Sequence, residues 1–189
     1  MKSRPIQEHK SFLRHELRQA VKKITKNSRR HRSQKISRSL MRSAEFKRAH
    51  HIMIYVPIAG EVDTRDFLSQ AFCQDKNIYI PKINSTTKKM TPIQIKNPKS
   101  ELKRGTYGIM EPHGRHLKRL NPAKLDLVIV PGLGFDRSGG RLGRGVGYFD
   151  RFLKRAKKAK TIGLAFREQI RKKIPMERHD VYLDRVMIG

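Results

Sequence analysis

Between Pro131 and Asp150 the chain carries seven glycines together with Arg137, Arg141 and Arg144. Glycine lets a backbone turn tightly and lets a ligand come close to it. Arginine brings fixed positive charge in a forked donor that matches phosphate oxygens. The stretch follows the strand-like segment Leu125-Asp-Leu-Val-Ile-Val130 and leads into Tyr148, Phe149, Phe152, Leu153 and Ala156, which recur at helical spacing. A helix start adds free N–H groups and the positive end of its dipole. Strand, glycines, arginines and helix start together predict a phosphate cradle and, with it, nucleotide chemistry. The spacing fits neither Gly-x-x-x-x-Gly-Lys-Ser/Thr nor Gly-x-Gly-x-x-Gly. A basic surface loop, or an RGG-like nucleic-acid segment, is the competing reading; the apolar patterns on both flanks argue against it.

Other reactive side chains carry less. The single cysteine, Cys73, excludes an intramolecular disulfide framework and a thiolate cluster. Set among Phe67, Leu68, Ala71 and Phe72, it reads as a small core residue. His50, His51, His113, His116 and His179 show no zinc-ligand spacing on a common element and are read as structural or surface residues.

The elements that must position the cradle follow from periodicity. Leu13, Leu17, Val21 and Ile24 predict an amphipathic helix from Glu8 to about Lys26, and Ile36, Leu40 and Ala44 a second one capped by Ser33. His51–Ile58, Ile78–Ile83, Leu125–Val130, Thr161–Phe166 and Val181–Ile188 read as strands, with Met90–Ile95 an edge piece because of Pro92. Glu61–Thr64 is a turn into a helix through about Gln74, and residues 96–121 read as loop, punctuated by Gly105, Gly108, Pro112 and Gly114. Alternating strands and helices predict one domain, a three-layer α/β/α sandwich with a largely parallel sheet. In such folds ligands bind at the carboxyl ends of strands.

A length of 189 residues suits that domain, and 37% apolar residues in discrete runs argue for a folded core under a charged surface. The net charge of +28 (44 Lys/Arg minus 16 Asp/Glu) attracts polyanions. It is spread along the chain: the first 50 residues hold 16 basic against three acidic side chains, and 137–160 nine against one. That favours a general surface property, with non-specific polyanion binding, over a dedicated nucleic-acid site. The basic N-terminus has no apolar stretch behind it, so no secretory signal is read. No run of about 18 apolar residues predicts a membrane span. A cytoplasmic monomer without a membrane partner is the expectation.

One long motif carries a resemblance. Val130-Pro-Gly, Phe135-Asp136 and Gly139-Gly-Arg-Leu-Gly-Arg-Gly-Val-Gly-Tyr-Phe-Asp150 look like the hallmark of the 5-formyltetrahydrofolate cyclo-ligases, also called methenyltetrahydrofolate synthetases. Lys10-x-x-x-Arg14, Glu61-Val-Asp-Thr64, Gly108-Ile-Met-Glu-Pro112, Ile162-Gly-Leu-Ala-Phe-x-x-Gln169 and Asp180-x-x-x-Asp184-x-Val186 agree in order, so the resemblance spans nearly the whole chain. It implies an ATP- and Mg²⁺-dependent closure of 5-formyltetrahydrofolate to 5,10-methenyltetrahydrofolate. The formyl oxygen takes the γ-phosphoryl group, N10 attacks the activated carbon, and phosphate leaves.

The resemblance also implies roles. ATP contacts fall on Lys10, Ser11, Phe12, Leu13 and Arg14 and on Gly140, Arg141, Leu142, Gly143, Arg144, Gly145, Val146, Gly147, Tyr148 and Phe149. Arg144 would stabilise transition-state charge. Lys10 and Arg14 lie one turn apart on a shared face, where a solvated surface is the alternative. Substrate contacts fall on Val56, Glu61 and Tyr148, with Glu61 accepting from pterin N–H donors; Tyr148 is open to both stacking and core packing. Asp150 and Asp184, hard oxygen donors, would hold Mg²⁺; a helix-start acid and a surface acid are their ordinary readings. Phe149 stands where the motif has a second tyrosine, and Val146 where some members carry lysine or glycine. A basic nucleic-acid-binding protein and an ATP-using relative with another substrate remain open.

Overall fold

The computed structural model describes residues 5–105, 108–114 and 117–189; His116 lies outside them. Helix α1 (Ile6–Lys22) buries Leu13, Leu17 and Val21 at intervals of four. It stops before the expected Lys26 because Thr25 starts a new helix, its Oγ1 accepting the Ser28 N–H at 3.2 Å. Helix α2 (Lys26–Arg42) thus begins seven residues before Ser33; its first turns carry no apolar stripe, which hid them from periodicity. Ser33 is buried instead, accepting the Asp63 N–H at 3.0 Å. A short α3 (Ala44–Arg48) leads to β1 (His51–Met53), α4 (Arg65–Ala71) to β2 (Asn77–Asn84), and β3 is Lys89–Ile95.

Residues 96–121, expected as loop, contain α5 (Pro98–Glu101) and a hairpin of β4 (Leu102–Arg104) and β5 (Met110–Pro112). Then come β6 (Leu127–Val130), a two-residue hairpin of β7 (Gly134–Phe135) and β8 (Arg141–Leu142), α6 (Tyr148–Leu153), β9 (Lys160–Ala165) and β10 (Arg185–Ile188). The main sheet has the order β10-β9-β6-β1-β2-β3, parallel except for β3, which pairs antiparallel at the edge.

Alternation along the strands loads both faces. Ile52, Ile54, Leu127 and Ile129 pack with Ile36, Leu40, Phe46 and Phe67 from α2, α3 and α4. Met53, Val128 and Val130 pack with Phe152 and Leu153 of α6. This is the mixed α/β, largely parallel arrangement expected, buried on both sides. Cys73 departs from expectation: it is exposed, donating from Sγ to the Ser69 carbonyl at 3.6 Å, because α4 ends at Ala71, the last residue of its buried stripe. Among the described residues no helix is long and apolar enough to cross a membrane.

The glycine stretch is folded, not an open loop. Asp136, 2% exposed, accepts the N–H groups of Ser138 and Gly140 on Oδ1, both at 2.9 Å, and that of Ile174 on Oδ2 at 2.8 Å. Asp136→Ala strands buried donors at Gly140 and Ile174, so it should lower unfolding free energy by about 2–5 kcal/mol, with Asp136→Asn losing less. Urea unfolding checks this. An Ala variant within about 1 kcal/mol of the native protein would show that the turn does not depend on this carboxylate.

Candidate active site

Strand β1 lies between β6 and β2, and the chain winds to opposite faces on leaving β1 and β6: α4 covers one face and α6 the other. A crevice opens at the carboxyl ends of strands where the winding reverses. Here a cavity of about 460 Å³ is lined by Tyr55 and Val56 after β1, by Pro131 and Gly132 after β6, and by 141–150. β1 is only three residues long because Pro57 and the turn to Glu61 draw the chain out of the sheet, so Val56 and Ile58 become cavity wall instead of strand.

One wall is cationic. Arg14 reaches over from α1 and its Nε donates to the Gly143 carbonyl at 3.0 Å. Arg141 is buried, with Nη2 on Asp150 Oδ1 at 2.8 Å, Nη1 on the Pro131 carbonyl at 3.3 Å, and its guanidinium 5.7 Å from the Phe149 ring centroid. Arg144 approaches Glu61 Oε1 with Nη2 at 3.2 Å and Nε at 3.4 Å. Gly147 caps α6 with φ of 71°, a left-handed turn that a side chain disfavours. With six residues α6 is shorter than the expected run to Ala156, and its dipole adds little to the arginines.

The opposite wall is apolar: Val56, Ile58, Ile80, Ile83, Met90 and Ile109. Glu61 sits at its edge, with Oε2 accepting the Ile58 N–H at 3.2 Å. Burial pushes the Glu61 carboxyl above its ordinary value, and Arg144 only partly offsets this. The buried Tyr55 phenol is pushed well up, by desolvation first and by Glu61 and Asp63 after it.

The C-terminal segment closes the rim. Lys10 Nζ donates to Glu177 Oε2 at 2.6 Å and to Asp180 Oδ2 at 2.5 Å. Burial alone would depress the lysine, but these two carboxylates outweigh it and hold the ammonium above its usual value. Arg14 is depressed, by burial first and by Arg18 second. Glu177, His179 and Asp180 bring donor atoms within 4.8 Å of one another, a group able to hold a cation.

Lys10, Arg14, residues 141–149, Asp150, Val56 and Glu61 thus line one cavity. Four expected contacts and one expected metal ligand do not. On α1 only the side chains one turn apart face inward: Ser11 and Phe12 are exposed, and Leu13 packs with Leu17, Leu142 and Ile174. Gly140 lies behind the wall, its N–H on Asp136; a Cβ there would stand 2.2 Å from Asp136 Oδ2, so closeness to a carboxylate explains this glycine. Asp184 is at the far end of the sheet, before β10, bonded to Thr161 N–H at 2.9 Å, Thr161 Oγ1 at 2.7 Å and Lys160 Nζ at 3.1 Å. It joins strand starts, and it does not line the cavity. Glu111, Glu177, His179 and Asp180 line the cavity and were not singled out by sequence. Asp180, four residues before Asp184 in the same motif, was the available signal.

The Glu61 shift has a measurable sign. Its native carboxyl binds a proton more tightly than in the unfolded chain, so its contribution to stability is present at low pH and is lost as pH rises through the native value. Glu61→Gln should therefore remove this loss and leave the protein at least as stable as native at pH 7, with the two converging toward pH 4. Thermal midpoints across that range test it; a variant clearly less stable at pH 7 would show that the Arg144 pairing outweighs burial.

Comparison with known proteins bears on the chain as a whole. The family model described as 5-formyltetrahydrofolate cyclo-ligase matches residues 6–189. A mouse protein named 5-formyltetrahydrofolate cyclo-ligase is 31% identical, over 94% of this chain and 92% of its own length. Its Haemophilus influenzae namesake is 28% identical, over 94% of this chain and 96% of its own length. The NMR structure of Aquifex aeolicus 5,10-methenyltetrahydrofolate synthetase superposes with a TM-score of 0.84 and 32% identity, covering 95% of this chain and 89% of that one. Cavity, glycine stretch and matched length agree: the chain belongs to the 5-formyltetrahydrofolate cyclo-ligase family.

Proposed function

We propose that the chain closes 5-formyltetrahydrofolate to 5,10-methenyltetrahydrofolate, using Mg²⁺-ATP and releasing ADP and phosphate. The observation that carries this is the joining, in one cavity, of an arginine-and-glycine wall with an apolar wall that ends in a buried carboxylate. The first suits phosphates, and the second suits a flat heterocycle with N–H donors.

The charge in the cavity supports the metal as well. Lys10, Arg14, Arg141 and Arg144 face Glu61, Glu111, Asp150, Glu177 and Asp180, so a bare triphosphate meets no excess of positive charge. Asp150, Glu177 and Asp180 are the hard oxygen donors that would hold Mg²⁺. When bound, Mg²⁺-ATP supplies the phosphoryl group that turns the formyl oxygen into a leaving group. Arg144 and Arg14 donate to phosphate oxygens, and Arg144, the more exposed, can follow the charge as it moves. Glu61 accepts from pterin N–H groups and fixes the ring. Val56, Ile58, Ile80 and Ile83 exclude water, which keeps the activated carbon for N10 and strengthens each charged contact. Val146, 47% exposed, and Phe149, its ring centroid 5.7 Å from the Arg141 guanidinium, add no hydrogen-bond donor. Lys10, Arg14, Arg141 and Arg144 are four of the 44 basic side chains, so most of the positive charge lies outside the cavity.

Appearance of the methenyl product from 5-formyltetrahydrofolate, dependent on Mg²⁺-ATP, is the direct test; its absence in the folded protein would refute the reading. Arg144→Ala should lower kcat by about 10²–10³-fold, and Arg144→Lys should recover only part, because an ammonium lacks the fork. Asp150→Asn should raise the Mg²⁺ concentration needed for half-maximal turnover. An unchanged Mg²⁺ dependence would place the metal on Glu177 and Asp180 alone.

A further inference from the structure

The Arg144–Glu61 pair joins the two walls. Its ends differ in kind. Glu61 is anchored: its side chain is 8% exposed, its N–H donates to the Ile58 carbonyl at 3.1 Å, and its Oε2 accepts the Ile58 N–H at 3.2 Å. Arg144 is the movable end, 41% exposed in its side chain and set between Gly143 and Gly145. Both donors of its Nε–Nη2 edge fall on the single oxygen Oε1, at 3.4 and 3.2 Å, longer than a well-formed charge-assisted bond. That edge is one of the two with which a guanidinium grips a phosphate, so Arg144 cannot use it for both at once.

We propose that Glu61 is a positioning residue for Arg144, a latch that withholds the arginine from the nucleotide until the folate arrives. This rests on the roles given above to Glu61 and Arg144. A pterin brings planar N–H donors to the carboxylate and fills the apolar wall beside it, which Arg144 cannot do. The ring therefore displaces the arginine, and the freed fork turns to the phosphates. The two ligands are then coupled through one side chain: folate tightens nucleotide binding and, by reciprocity, nucleotide tightens folate. The direction favours use of ATP only when the acceptor is in place.

The test is calorimetric titration of a non-hydrolysable β,γ-imido ATP analogue with Mg²⁺, with and without saturating 5-formyltetrahydrofolate. In the native protein folate should tighten the analogue by about 5-fold or more, within the usual span of coupled sites. Glu61→Gln releases the latch, so the analogue alone should bind several-fold more tightly than it binds native protein alone. Loss of a mere folate contact would not move that number. In an Arg144→Gln background the same Glu61→Gln change should give no gain, whereas a general effect of the removed charge would persist there. Glu61→Asp, too short to reach the arginine, should repeat the gain if the glutamine variant folds poorly. Folate-independent analogue affinity in the native protein, or no gain in either Glu61 variant, overturns the latch. Failure of the native protein to form the methenyl product would instead overturn the assigned reaction, and the folate-free titrations would still report on the latch.

Discussion

The cavity depends on one buried carboxylate that never faces it. Asp136 binds backbone from two distant segments, the turn to Gly140 and the chain at Ile174. The first bond fixes where β8 starts, and so where Arg141 enters the wall and where the glycines after it run. The second ties down the segment that reaches Glu177 and Asp180 a few residues later. Each bond is ordinary in strength, but all satisfy donors on otherwise irregular backbone, where no ladder would replace them. Gln169 performs a similar service from below: its Nε2 donates to the carbonyls of Gly132 and Leu133 at 3.0 and 3.2 Å, and its Oε1 accepts the Phe166 N–H at 2.9 Å. Side-chain bonds to backbone, more than regular structure, give the glycine stretch a single shape.

Charge is organised differently inside and outside. On the surface the basic excess has few partners, as between Leu17 and Ala44, where ten basic residues meet no acid in sequence and, among the described residues, only Arg32 forms an ion pair, with Glu168. In the cavity Lys10, Arg141 and Arg144 are each matched to carboxylates. Matching orients a donor where bare charge would only attract. The sign of the whole molecule therefore says little about what the cavity selects, whereas the pairs inside it set where a ligand's charges must lie.

Much of this was legible in the sequence. Leu127–Val130 is apolar at every position because both faces are covered, and the glycines and arginines after it sit in one short run. Local patterns of that kind survive folding. What was not legible was of three sorts. The reading of Lys10–Arg14 as an unbroken contact ignored the turn of the helix, which sends Leu13 to the core and Ser11 and Phe12 outward. The preference for Asp184 over Asp180 could not be avoided from spacing alone: both are acids in one motif, and only the path of the chain reveals that one joins strand starts while the other meets Lys10. The β4–β5 hairpin was hidden because its strands are three residues long and bounded by glycines that also suit a loop.

The meeting of Lys10 with Asp180 sets a condition on when the protein can work. The partners are 170 positions apart, so on the ribosome the helix bearing Lys10 waits for its carboxylates while the rest is made. At typical synthesis rates that wait is roughly ten to thirty seconds. During it the lysine has no reason to leave water and the rim of the cavity does not exist. A nascent chain, or one released early, therefore has no finished pocket in which to turn over nucleotide. The pocket is finished only once Asp180 has been made and has folded back onto the helix that carries Lys10.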